Sequence, residues 1–161
     1  MSNKGQWRPH TTGILISGLV LILIAIVISF MVNNFQQTNE VRLGAGVFNV
    51  RIASTDEARK QGLSGVEKLD ANGGLLMVFD TDGYQGIWMK DMKIPLDIIW
   101  LNSEKKVVYI VTDASPDLGT SKIFTPKDLS RYVLEVPAGT VKSAGIKIGS
   151  VATFTLPGSQ S

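Results

Sequence analysis

The chain of 161 residues has no cysteine and only one histidine, His10. Without cysteine there can be no disulfide framework, no thiolate nucleophile and no thiolate ligand for a metal. Stability has to come from packing. With its only histidine near the N-terminus, the rest of the chain cannot run a Ser-His or Cys-His mechanism or build a His or Cys zinc site. No metal and no cofactor is expected. A third absence is more informative: Thr11 to Asn39 carries no ionisable side chain, and its middle, Ile14 to Val32, is almost wholly Ile, Leu, Val, Phe and Met.

These nineteen residues, as a helix rising about 1.5 Å per residue, reach roughly 28 Å, close to the ~30 Å hydrocarbon core of a bilayer. The run is longer than the apolar region of a secretory signal. Ser29-Phe30-Met31-Val32-Asn33 offers no A-x-A-like exit for the peptidase. We expect an uncleaved signal anchor over residues 11–32, with a cleaved signal as the alternative. Lys4 and Arg8 precede it, and removing them from the sixteen Lys and Arg leaves fourteen, matching the fourteen Asp and Glu. Because Lys and Arg stay on the cytoplasmic side, residues 1–10 are expected inside and the remainder outside the cytoplasmic membrane of a bacterium or archaeon. The pI of about 8.9 therefore reflects the first ten residues. The neutral remainder gives no reason to expect nucleic-acid binding.

Asn33 to Asn39 is polar and lacks periodicity, and with Glu40 to Gly44 it is expected as a stalk over residues 33–44. A β domain is expected over 45–156, with 157–161 as a tail. Val47 to Ala53 alternates as a strand, and Ser54 with Glu57 has the form of a capping box opening a short helix from Thr55 to Gln61, ended by Gly62. Gly74 to Asp80 and Tyr84 to Lys90 predict a hairpin turned by Asp82-Gly83. Further strands are expected at Leu96 to Leu101, Val107 to Thr112, Tyr132 to Val136 and, as a closing strand, Ser150 to Leu156. Ala114 to Pro126 has little pattern and is expected as a long loop, and Ala138 to Ala144 as a helical turn. The pattern predicts a mainly β fold: a single β-sandwich or partly closed barrel with one or two short helices, preceded by one transmembrane helix.

The densest chemistry lies in Tyr84 to Leu101. Trp88 and Lys90 share one face of a strand, and Ile87 and Met89 share the other. Beyond Pro95, Asp97 alternates with Ile99 and Leu101, so its carboxylate falls in line with large apolar side chains. It must accept backbone N–H groups, or pair with Lys90 or Arg131, or be neutral. The candidate ligand-binding residues are Trp88, Lys90, Asp91 and Asp97. Asp80-Thr81-Asp82-Gly83 resembles the start of a calcium loop, but Tyr84 stands at the fifth position and the glycine is two places early.

Trp88-Met89-Lys90-Asp91 followed by Ile94-Pro95-Leu96-Asp97-Ile98-Ile99 resembles the W-M-K-N-x-x-x-P-L-D-I-I-F core of the domain of unknown function family 192. Gly62-Leu63, Gly74 to Phe79, Arg131 to Gly139 and Gly145 to Gly149 are similar, in order, to four further stretches of that family. The departures are Ser64 for the usual Met, Asp91 for Asn and Met92 for Thr; the first weakens any paired-methionine metal site with Met89. The resemblance implies a mostly β fold, frequently attached to the envelope, and no particular reaction.

Two functional readings follow. One is a non-catalytic, membrane-tethered module that binds an envelope component or partner protein through the Trp88, Lys90 and Asp91 face and the Ala114 to Pro126 loop. The other is a carboxylate-dependent hydrolase of an envelope glycan using two of Asp91, Asp97 and Glu135, which requires two carboxyls about 5 to 9.5 Å apart in one cleft.

Overall fold

The computed structural model describes residues 39–157. The expected cytoplasmic N-terminus, the transmembrane helix, the first half of the stalk and the end of the tail lie outside the described residues. No helix among the described residues is long and apolar enough to cross a membrane. The chain forms a six-stranded mixed sheet in the order β1 (Asn39–Leu43), β2 (Gly46–Ala53), β3 (Gly73–Gly83), β8 (Ser130–Pro137), β5 (Leu96–Leu101), β6 (Val107–Ala114), and a separate two-stranded sheet of β4 (Ile87–Met89) and β7 (Gly119–Phe124).

The sheet begins earlier than expected. β1 (Asn39–Leu43) pairs antiparallel with β2 (Gly46–Ala53) through a tight turn. Residues 39–43, expected as stalk, are therefore part of the domain. Val41 and Leu43 alternate with Glu40 and Arg42, and both apolar side chains are buried while the charged ones face water. Between β2 and β3 (Gly73–Gly83) runs α1 (Asp56–Gln61), a crossover that makes this the parallel pair. The helix is capped one residue later than the capping-box reading placed it: Thr55, not Ser54, accepts the backbone N–H of Ala58 at 3.2 Å.

The expected hairpin at Asp82-Gly83 does not form. β3 runs on through Gly83, which pairs with Ser130 after an irregularity in the ladder, and Asp82 accepts Arg131 Nε–H at 2.7 Å. β4 (Ile87–Met89) instead pairs with β7 (Gly119–Phe124), which lies inside the segment expected as a loop. That segment is ordered by a 3-10 turn at Pro116–Leu118, whose preceding Ser115 side chain accepts Asp117 N–H at 3.2 Å. β5 (Leu96–Leu101) is buried along its whole length between β6 (Val107–Ala114) and β8 (Ser130–Pro137). This explains its nearly unbroken apolar run.

The partly closed barrel does not occur. β1 and β6 are the two edges of the sheet, and the expected closing strand touches each by one bridge only, Arg42 with Thr153 and Lys106 with Val151. The C-terminal segment reaches both edges in three residues, too few to build a ladder on either. Side-chain alternation gives the sheet two cores. On one face Leu76, Ile99, Leu101, Leu134 and Val136 pack with Val141 of α2 (Thr140–Ser143), Ile146 and Phe154. On the other, Leu75, Met77, Ile98, Trp100 and Val133 pack with Leu63, Ile87, Met89, Met92 and Phe124. The candidate site opens on this second face.

Candidate ligand pocket between α1 and β4

A pocket of about 230 Å³ lies between α1 with the turn that follows it and the stretch from Gly86 to Met92. Its floor is the sheet, represented by Met77 and Phe79 of β3 and Glu135 of β8. Arg59, Lys60, Gly62 and Ser64 form one wall, and Ile87, Trp88, Lys90 and Met92 the other.

Local hydrogen bonds hold the two walls together. Ser64 Oγ–H donates to the Lys90 carbonyl at 2.8 Å, and Gly65 N–H to the Asp91 carbonyl at 2.9 Å. Asp91 turns the chain there with φ of 55°, in the left-handed region where Asn and Asp are the non-glycine residues best tolerated. Within the α1 wall, the Arg59 guanidinium donates to the carbonyls of Ser54 and Val78, each at 2.6 Å, pairs with Asp56, and lies 5.0 Å from the centre of the Phe79 ring. The entry to β4 is fixed from below, where buried Trp100 donates its indole N–H to the Gln85 carbonyl at 2.7 Å. Gly62 ends α1 with φ of +52°, and a Cβ there would stand 3.4 Å from Met77 Cε and 4.0 Å from Glu135 Oε2. The glycine keeps the space above the carboxyl open.

Glu135 is the chemical centre of the pocket. It is only 4% exposed, and its Oε2 is buried without a hydrogen-bond partner among the described residues. Its register neighbours are Leu75 on one side and Ile98 on the other, both fully buried. Removal from water pushes its pKa up to about 7, against a smaller downward pull from the Arg51 guanidinium. Arg51 does not relieve the orphaned oxygen, since its Nη2 donates to the Gly62 carbonyl.

The sequence-derived candidates divide. Trp88, 42% exposed, and Lys90 stand at the pocket's lip. Asp91 flanks it without lining it and pairs with Lys90 at 3.4 Å. Asp97 lies on the opposite face of the sheet, fully buried, where it pairs with neither Lys90 nor Arg131. Its Oδ1 accepts Asp113 N–H at 2.9 Å and its Oδ2 accepts Val141 N–H at 2.7 Å. Of Asp91, Asp97 and Glu135, only Glu135 lines the pocket. The α1 wall, Met77, Phe79 and Met92 escaped sequence reasoning, because nothing in their local pattern separates pocket wall from core.

Comparisons with known proteins agree with this architecture. The chain is 28% identical over 120 residues to a UPF0127 protein of Thermococcus kodakarensis, covering 73% of this chain and 71% of that one. It is 30% identical over 111 residues to a UPF0127 protein of Thermococcus gammatolerans, covering 66% of each. A crystal structure from Sinorhizobium meliloti, described as a candidate transcription regulator, superposes with a TM-score of 0.68 at 28% identity, covering 72% of this chain and 92% of that one. A protein of unknown function from Novosphingobium aromaticivorans has the same fold, with a TM-score of 0.67 at 24% identity, covering 71% of this chain and 83% of that one. The family profile of DUF192, an uncharacterized ACR, matches residues 38–154, starting at the edge of β1 and ending in the C-terminal segment that bridges the sheet. The chain belongs to the DUF192 family.

Proposed function

We propose that the protein is a membrane-anchored, extracytoplasmic binding module that receives a small group, the end of an envelope component or of a partner, in the pocket between α1 and β4. One observation carries this reading: a buried carboxyl oxygen without a partner sits on the floor of a largely apolar pocket whose lip bears an exposed tryptophan. An unsatisfied buried polar atom costs about 1–3 kcal/mol. Largely apolar walls with a small number of polar groups are the usual composition of a ligand site, and 230 Å³ is below the roughly 300–1,000 Å³ of sites for drug-sized molecules.

The hydrolase reading has less support. Its carboxyl pair would have to face one cleft, yet Asp97 is behind the sheet with both oxygens engaged and Asp91 stands outside the lining. The other carboxylate at the pocket, Asp56, is held by Arg59. Nucleic acid is a poor partner for a domain whose fourteen acidic and fourteen basic side chains balance, so the description given to the Sinorhizobium meliloti structure is not carried over. The anchor reading rests on the uncharged run that ends where β1 begins.

Two measurements test the reading. Protease added to spheroplasts should remove the domain while the N-terminus stays protected; a domain protected until the membrane is broken overturns the orientation. Native mass spectrometry of the detergent-solubilised full chain should show a bound species of a few hundred daltons, lost in Trp88→Ala, whose melting temperature should equal that of the wild type stripped of the adduct. A wild-type chain free of adduct, or an adduct that Trp88→Ala retains, rules out this pocket as the binding site.

A further inference from the structure

The hydrogen-bonding character of the pocket is one-sided, and this deepens the functional reading on which it rests. Apart from Lys60 at the rim, the side-chain donors along the α1 wall are engaged within the protein. Arg59 is committed to Ser54, Val78 and Asp56, Ser64 Oγ–H to Lys90, and Gln61 Nε2–H to Ser64. The backbone N–H groups of Gly62 and Ser64 bond to Ala58 and Gln61. What faces the interior is acceptor in character: Glu135 Oε2, with no donor of its own, and the thioethers of Met77 and Met92. The exposed Trp88 ring at the lip adds a negative ring face, while the Phe79 ring already carries the Arg59 guanidinium.

From this set we infer that the pocket recognises a primary ammonium group on a small apolar body, with the ammonium paired to Glu135 Oε2 and the body between Met77, Phe79, Ile87 and Met92. Beside Glu135 Oε2, a carbonyl or carboxylate would bring a second acceptor to a floor where Arg59, Gln61 and Ser64 already donate elsewhere. An ammonium supplies the three donors that such a wall can use. The charges facing Glu135 are Arg51 from β2, Asp56, Arg59 and Lys60 from α1, and Lys90 after β4, while its register neighbours Leu75 and Ile98 carry none. Asp56 with Arg59 and Asp91 with Lys90 form ion pairs. Lys60 at the rim favours an acidic or polar group at the outer end of the ligand.

Ammonium binding requires the carboxylate form of Glu135, so binding displaces the carboxyl proton into solvent wherever the group is still protonated. With that proton leaving at about pH 7, affinity for an ammonium that stays charged throughout rises about tenfold between pH 6 and pH 8. A ligand that accepts from the protonated carboxyl shows the opposite trend.

The test uses the full chain in lipid nanodiscs with methyl-labelled methionine, where the Met77 and Met92 methyls report on the pocket and buried Met89 on the fold. The probes are benzylammonium, benzyl alcohol and benzoate, three molecules of nearly one shape. Benzylammonium should shift the Met77 and Met92 signals with at least tenfold higher affinity than benzyl alcohol, more tightly at pH 8 than at pH 6. Glu135→Gln, with an unshifted Met89 signal, should erase that preference. If benzyl alcohol or benzoate binds as tightly as benzylammonium, or if the preference survives Glu135→Gln or weakens as pH rises, the ammonium assignment falls and the pocket reading stands. If no probe moves the two methyls while the Trp88-dependent adduct persists, the assignment alone is again overturned; absence of both removes the assignment and the pocket reading together.

Discussion

Asp97→Ala is expected to lower the unfolding free energy by about 3–5 kcal/mol, since two hydrogen bonds to a charged group are lost and two amides are left without an acceptor. The carboxylate ties three elements together: it sits on β5, takes Asp113 N–H at the end of β6, and takes Val141 N–H in the first turn of α2. α2 has Gly139 at its N-cap and no side-chain cap from its own sequence, so Asp97 supplies the missing acceptor from another strand. Asp113, with φ of 52°, is held in a left-handed conformation by the same contact. Asp97→Asn keeps one acceptor oxygen but turns an amide NH₂ towards a backbone N–H, and should cost about 2 kcal/mol. Against a total stability of about 5–15 kcal/mol, the alanine variant removes a large share. Urea unfolding of the full chain in detergent, followed by near-ultraviolet circular dichroism, measures both. A loss under 1 kcal/mol for Asp97→Ala would show that the carboxylate is not part of the scaffold.

Asp97 and Glu135 show which parts of the site the sequence made legible. Both are carboxylates inside apolar strands, and alternation placed Asp97 on the buried line of Ile99 and Leu101. It could not say which face of the sheet that line occupied, because face depends on strand order, and β5 sits between β6 and β8 through pairings distant in sequence. For the same reason Trp88 and Lys90 were found together while their opposite wall was not. The turn after α1 meets the turn after β4 through contacts such as Ser64 with Lys90, twenty-six residues apart.

Strong local turn chemistry also misled. Asp82-Gly83 has the composition of a hairpin turn, but Gly83 pairs with Ser130 and the Asp82 carboxylate is taken by Arg131. The β7 strand stayed hidden for the opposite reason. Gly119–Phe124 shows only Ile123 and Phe124 as large apolar residues, and its pairing with β4 supplies the order that its own propensity lacks. β1 was legible in retrospect from the alternation of Val41 and Leu43, masked by the polar run before it.

The contribution of Glu135 to the stability of the wild-type protein, read as the difference from Glu135→Gln, should fall by about 3 kcal/mol as pH rises from about 4.5 to 8. The folded state raises the Glu135 pKa from 4.5 to about 7, so between these values the folded chain holds a proton that the unfolded chain has released. Stability therefore declines with pH through that window, the reverse of the usual behaviour of a carboxylate in a salt bridge. Below pH 4.5 both states are protonated and the wild type and Glu135→Gln should differ little; above pH 7 the variant should be the more stable by nearly the whole amount. Urea midpoints measured at pH 5 and pH 8 on both proteins give the comparison directly, with the other carboxylates contributing equally to each. A difference between the proteins that does not grow with pH would mean that Glu135 is ionised without penalty in the folded state. The predicted penalty gives binding its thermodynamic lever: a cationic ligand that neutralises Glu135 should stabilise the protein most at pH 8, where the unpaired carboxylate costs most.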